Sequence, residues 1–209
     1  LHQRRDAVVR AVSVLHILVA AVASATVAIA AVLSARAYDH RDEHYAKDQP
    51  SPGSIRHFRF VYRYLQVSSI AIALISFWAS PRWLLELHDS LGLILLGTFG
   101  ICLSTWAFLS AKRALGNQYS PCFDAYLPQR IVEEGPYAQV RHPIYTANVA
   151  LLASLALASG SVWLVLNTFV LAAYYGLSAK AEEGELLRAH PDYAAYVART
   201  GRFLPSIKG

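Results

Sequence analysis

Apolar stretches of helical length recur along the chain. Residues 11–33, AVSVLHILVAAVASATVAIAAVL, hold His16 as their one ionisable group. Residues 64–80, YLQVSSIAIALISFWAS, run into Pro81, and residues 91–109 read LGLILLGTFGICLSTWAFL. From Pro143 to Ala179 no Asp, Glu, Lys, Arg or His occurs. As one helix this last run would reach about 55 Å at 1.5 Å per residue, nearly two hydrocarbon cores of roughly 30 Å. Ser159-Gly160-Ser161 interrupts it at the middle, so the pattern predicts two helices in a tight hairpin. The expected fold class is all-α integral membrane, with five transmembrane helices and a cytoplasmic C-terminal helical tail. A single membrane domain over 1–209 is expected. Its first part, 11–110, holds three spans and a charged loop at 36–63.

Composition agrees. Hydrophobic residues make up 55% of the 209 and charged residues 16%, against about a quarter in a soluble domain. The stretch 11–33 is too long for the apolar core of a signal peptide and is read as a span. No Met occurs, so Leu1 is not read as the natural start.

Charge supplies a test of the span count. With five spans, loop 36–63, loop 110–142 and the tail from Lys180 share one side. That side carries fifteen of the nineteen Lys and Arg, leaving Arg4, Arg5, Arg10 and Arg82 opposite. A single helix over 143–179 would split them ten to nine. Lys/Arg bias marks the cytoplasmic side, so the expected orientation puts the N-terminus outside. The net charge of +5 is explained by this bias, and no nucleic-acid partner is expected. The Ala- and Arg-rich composition hints at a bacterial source, for which the location would be the inner membrane. Cys102 lies in an apolar run and Cys122 in a loop. Two cysteines without metal spacing suggest neither a disulfide framework nor a metal site.

Loop 36–63 mixes both signs of charge and contains Pro50-Ser51-Pro52-Gly53, which suits a solvated connector. The tail 180–200, KAEEGELLRAHPDYAAYVART, reads as a helix interrupted near Pro191. Three polar groups gather on the side that holds the loops: Tyr137, Arg141, His142 and Tyr145; Glu182 and Glu183; and Tyr193, Tyr196, Arg199 and Arg202. A hairpin of the fourth and fifth helices brings the first two groups face to face. Ionisable groups at a low-dielectric boundary are functional candidates by default. Taken singly, Arg141 and His142 also fit as interfacial anchors, the glutamates as a solvated helix turn, and the tyrosines as an aromatic belt.

Gly135-Pro136-Tyr137, then Arg141-His142-Pro143 and Tyr145, resemble the hallmark of the isoprenylcysteine carboxyl methyltransferases and their bacterial relatives. So do Glu182-Glu183, Leu186-Leu187, Tyr193, Tyr196, Arg202 and Pro205. The segment 115–120, LGNQYS, and the closing TGRFLPSIKG at 200–209 look like corresponding segments of that family. The resemblance covers roughly 110–209. Ser178 stands where the family often has Arg, with Lys180 nearby, and His190-Pro191 replace a Phe-Gly. The resemblance implies a cofactor-binding catalytic half at 111–209 that uses S-adenosyl-L-methionine. It implies methyl transfer to a lipophilic small-molecule or prenylated acceptor taken from the membrane, with carboxyl O-methylation favoured. Cofactor contacts are expected from Tyr137, Val140, Arg141, His142, Tyr145, Glu182 and Glu183. Arg199 and Arg202 are expected to orient a carboxylate acceptor, which needs no base at neutral pH. Glu183 or His142 would be the base for a hydroxyl or amine. Other readings are a phospholipid or amine N-methyltransferase, an NADPH-dependent sterol reductase-like enzyme, and a non-catalytic haem-binding protein using His16, His88 or His142.

Overall fold

The computed structural model describes residues 2–39, 55–79, 87, 90–118, 128 and 130–206. Among these, helices dominate and no strand occurs. They are α1 (His2–Asp39), α2 (Ile55–Trp78), α3 (Leu91–Leu115), α4 (Pro143–Ser159), α5 (Val162–Ala189) and α6 (Tyr193–Arg199). Most of loop 36–63, together with His88 and Cys122, lies outside the described residues. The side chain of His16 is likewise outside them.

The expected hairpin forms between α4 and α5. Pro143 opens α4, where its missing N–H costs nothing. Gly160 closes the helix at φ 66°, and its N–H returns to the Ala156 carbonyl at 2.9 Å. That left-handed backbone suits glycine and turns the chain straight into α5. The Leu87 N–H donates to Gly160 O at 2.7 Å, so the α2–α3 connection lies at the same end as this turn. The helices therefore run up and down. Residues 36–39 and 55–63, expected in the charged loop, instead continue α1 and open α2, and the ends joined by residues 40–54, by the segment 116–142 and by residues 190–206 share the opposite end.

Packing is tightest between α3 and α4. A Cβ on Gly97 would stand 2.4 Å from the Ala158 backbone nitrogen, so only glycine lets the two backbones approach. This is the close small-residue contact by which helices associate without a hydrophobic driving force between them. Tyr175, Phe108, Ile101 and Leu164 are the largest fully buried side chains among the described residues. The outer surface is inverted relative to a soluble protein, with Phe169 68% and Leu177 71% exposed on α5. Lipid is the solvent that such a face requires.

Among the described residues, three helices are long and apolar enough to cross a membrane: Ile17–Arg36 within α1, α3 and α5. The two remaining expected spans are shorter or more polar. Helix α4 is apolar but has 17 residues, about 25 Å. Helix α2 carries Arg56, Arg59 and Arg63 in its first turns. The tail also differs from expectation. Nothing breaks the helix at Ala179, so residues 180–189 continue α5, and the interruption falls at His190–Asp192 around Pro191.

Candidate functional site

At the end of the bundle away from Gly160, the start of α4 meets the last turns of α5. Glu183 is the centre of this meeting, with 7% of its side chain exposed. Its Oε1 accepts from Arg141 Nε at 2.9 Å, pairs with His142 Nε2 at 3.1 Å and accepts from Arg202 Nε at 3.1 Å. Its Oε2 accepts from Arg202 Nε at 3.1 Å and Nη2 at 2.6 Å. A carboxylate surrounded by two guanidiniums and an imidazole is held ionised. It is also saturated with donors, which argues against Glu183 as a general base.

Arg141 is buried beside it and donates further to the carbonyls of Val197 and Thr200. The backbone explains why these carbonyls are near. Val140 and Gly201 form a short parallel bridge, and the Arg141 and His142 N–H groups donate to Gly201 O and Arg202 O at 2.9 and 3.1 Å. The tail after α6 thereby straps the entry to α4 and carries Arg202 onto Glu183. Thr146 Oγ1 donates to Phe203 O at 3.1 Å, and the Phe203 ring lies 5.9 Å from that of His142.

Glu182 behaves differently. Its side chain is 47% exposed, and it accepts from Tyr145 Oη at 2.9 Å while His142 Nδ1 stands 3.7 Å away. Adjacent glutamates thus have separate environments, one locked inside and one open. Tyr145 is stacked between two rings, His142 at 5.1 Å and Tyr175 at 4.3 Å. Asn148 Nδ2 donates to Tyr175 Oη at 3.0 Å. A column of four side chains therefore descends from the Glu pair into the apolar bundle.

The tail tyrosines frame the site. Tyr196 Oη donates to the Tyr137 carbonyl at 2.6 Å, and Tyr193 packs against Tyr196. Burial, then the neighbouring Glu133 charge, pushes the Tyr196 phenol up to about 12. Burial, then the Glu183 charge, pushes Tyr193 up as well. The hydrogen bonds to Glu183 raise Arg202, with partial burial working against them.

Of the residues singled out by sequence, Arg141, His142, Tyr145, Glu182, Glu183 and Arg202 meet in one cluster. Val140 and Tyr137 are buried beside it. Arg199 does not join. Its guanidinium pairs with Glu133 and lies 5.7 Å over the Tyr196 ring, half exposed at the rim. Helix α6 ends at Arg199, and the extended backbone at Thr200 sends residues 199 and 202 in different directions. Asn148 and Tyr175 were not anticipated. Their signal in the sequence was that of polar side chains inside an uncharged run. Among the described residues no group of three His, Cys, Asp or Glu side chains could hold a metal ion.

Residues 93–191, just under half of the chain, match the phospholipid methyltransferase family. The match spans α3, α4 and α5 and takes in every cluster residue except Arg202. It supports a place among the integral membrane methyltransferases and an S-adenosylmethionine-dependent methyl transfer on a lipophilic membrane substrate. No curated protein matched the chain.

Proposed function

We propose that this protein transfers a methyl group from S-adenosylmethionine to the amine of a membrane lipid, from a site centred on Glu182 and His142. The observation that carries the reading is the pairing of a locked and an open glutamate at the end of the α4–α5 hairpin, within the segment similar to phospholipid methyltransferases. When bound, the donor supplies an electrophilic methyl on a sulfonium sulfur. The donor set fits it: an open carboxylate for an ammonium or for ribose hydroxyls, and aromatic rings for the sulfonium or adenine. Glu183, with Arg141 and Arg202, holds the frame rather than a reactant.

The charge balance favours an amine acceptor over a carboxylate. Arg141 and Arg202 both direct N–H groups to Glu183, and Arg199 is paired with Glu133. The carboxylate that meets the opening, Glu182, attracts cations and repels carboxylates. An ammonium acceptor must first lose a proton, and Glu182, open at the rim, and His142 beside it are the candidate bases. The neutral nitrogen would then be able to accept the methyl group that a bound donor would supply. The carboxyl reading rests on the tail resemblance and on Arg202, whose side chain is 40% exposed. In this reading five helices cross the bilayer, the N-terminus is outside, and the site with its helical tail faces the cytoplasm, where the fifteen cations lie.

The test is calorimetric titration of detergent-purified protein with S-adenosylmethionine and S-adenosylhomocysteine. Wild type should bind both, and Glu182→Ala and His142→Ala should weaken binding at least tenfold. With labelled donor, phosphatidylethanolamine vesicles should give base-stable product. Base-labile product from an isoprenylcysteine acceptor would establish the carboxyl reading instead, and wild type that binds neither donor nor product would refute methyl transfer.

A further inference from the structure

A cavity of about 90 Å³ opens between α1, α2 and α4, with Ile101 and Leu171 behind it. Its lining is graded along the helices. On α4 the lining residue closest to the Glu182–Glu183 cluster is Asn148, and the deepest is Leu155. On the antiparallel α1 the corresponding residues are Ser34 and Val27. Seven residues separate the members of each pair, about 10 Å of helix. On α1 and α4 the cavity is therefore polar at the end near the cluster and apolar at the other, while on α2 the far end carries Ser69, whose hydroxyl already accepts from Asn167 Nδ2 at 3.1 Å. It also borders the site through its wall, because Asn148 is the foot of the column of side chains that ends at Glu182.

We infer that this cavity seats one hydrocarbon chain of the acceptor lipid, with Asn148 marking the level at which the chain gives way to the head group; the assignment rests on the methyl transfer proposed above. Three observations select this occupant. Most of the wall is apolar, which suits hydrocarbon better than a polar ligand. It lies within the apolar parts of the helices, where hydrocarbon is the ligand at hand. An apolar cavity of roughly 150 Å³ takes one benzene ring, so about 90 Å³ admits a slender chain segment and refuses a fused-ring body. The polar end then directs the head group toward Glu182, and a reversed lipid would bury its head against Val27 and Leu155.

The experiment is native mass spectrometry of the full chain in detergent, titrated with lysophosphatidylethanolamine carrying a myristoyl or a branched phytanoyl chain. Wild type is expected to bind one myristoyl probe. Ala31→Leu, which fills the cavity from α1, should weaken this at least tenfold, and Leu152→Ala, which widens it, should admit the phytanoyl probe at least threefold better. Val32→Leu, on the exposed side of α1, should stay within twofold. S-adenosylhomocysteine affinity, measured alongside, should be unchanged in all three variants and identifies any that misfold. Myristoyl and phytanoyl binding like wild type in every variant that retains S-adenosylhomocysteine binding would overturn the assignment. Should wild type fail to bind S-adenosylhomocysteine while the probe series behaves as expected, the methyl-transfer reading falls and the chain seat stands.

Discussion

Replacing Glu183 by Gln should destabilise the protein more than any other single polar change in the cluster. Arg141 has 8% of its side chain exposed and faces the Glu183 carboxylate at 2.9 Å. Removing one partner of a buried pair leaves the other charge unmatched, at a cost of roughly 3–5 kcal/mol. Arg202 adds little to this figure, because its side chain is 40% exposed and water can re-solvate it. For a domain of this size a loss of 1 kcal/mol lowers Tm by about 2–4 °C, so the expected fall is about 6–20 °C. Thermal unfolding followed by tryptophan fluorescence in a fixed detergent measures it. The double variant Arg141→Met/Glu183→Leu should recover at least half of the loss, since apolar residues that replace both charges avoid the desolvation penalty. A Glu183→Gln protein melting within about 2 °C of wild type would show that Glu183 is not the counter-charge on which Arg141 depends. A double variant no better than the single would show the same.

Two further outcomes follow from the rim of the site. Tyr196 has a phenol that ionises at about 12 when folded and 10.0 when unfolded. Its contribution is complete below pH 10 and fades as pH rises through 12, so Tyr196→Phe should flatten the alkaline limb of the stability curve measured by equilibrium unfolding. Its lost hydrogen bond to Tyr137 O should cost about 1 kcal/mol at neutral pH. Arg199→Ala removes an exposed pair with Glu133, worth about 0–1 kcal/mol, and should leave S-adenosylhomocysteine affinity within twofold by calorimetry; a tenfold loss would return Arg199 to the site.

What the sequence revealed was what local chemistry encodes. Ser159-Gly160-Ser161 in an uncharged run announced the hairpin, and the hairpin alone brings His142 to Glu183. The break at Pro191 was equally readable. Distinguishing Glu182 from Glu183 was not, because neighbours on a helix differ by 100° in direction and only the packed α4 decides which one turns inward. Arg199 and Arg202 looked equivalent for a related reason: their spacing suits one helical face, but the helix stops between them. Asn148 and Tyr175 lie 27 residues apart, and their meeting depends on the register between α4 and α5.

The close fit at Gly97 has a consequence for how such a protein can change. Helices α3, α4 and α5, with the strapping tail, contain the whole Glu182–Glu183 assembly, whereas α1 and α2 contribute walls of the cavity and none of the cluster. In the reading proposed above, the donor site would lie wholly in the later helices and the tail, while the acceptor seat would be shared between α1 and α2 and the later helices. In that reading, exchanging the first two helices for another pair would reshape one wall of the acceptor seat and leave the proposed donor site in place.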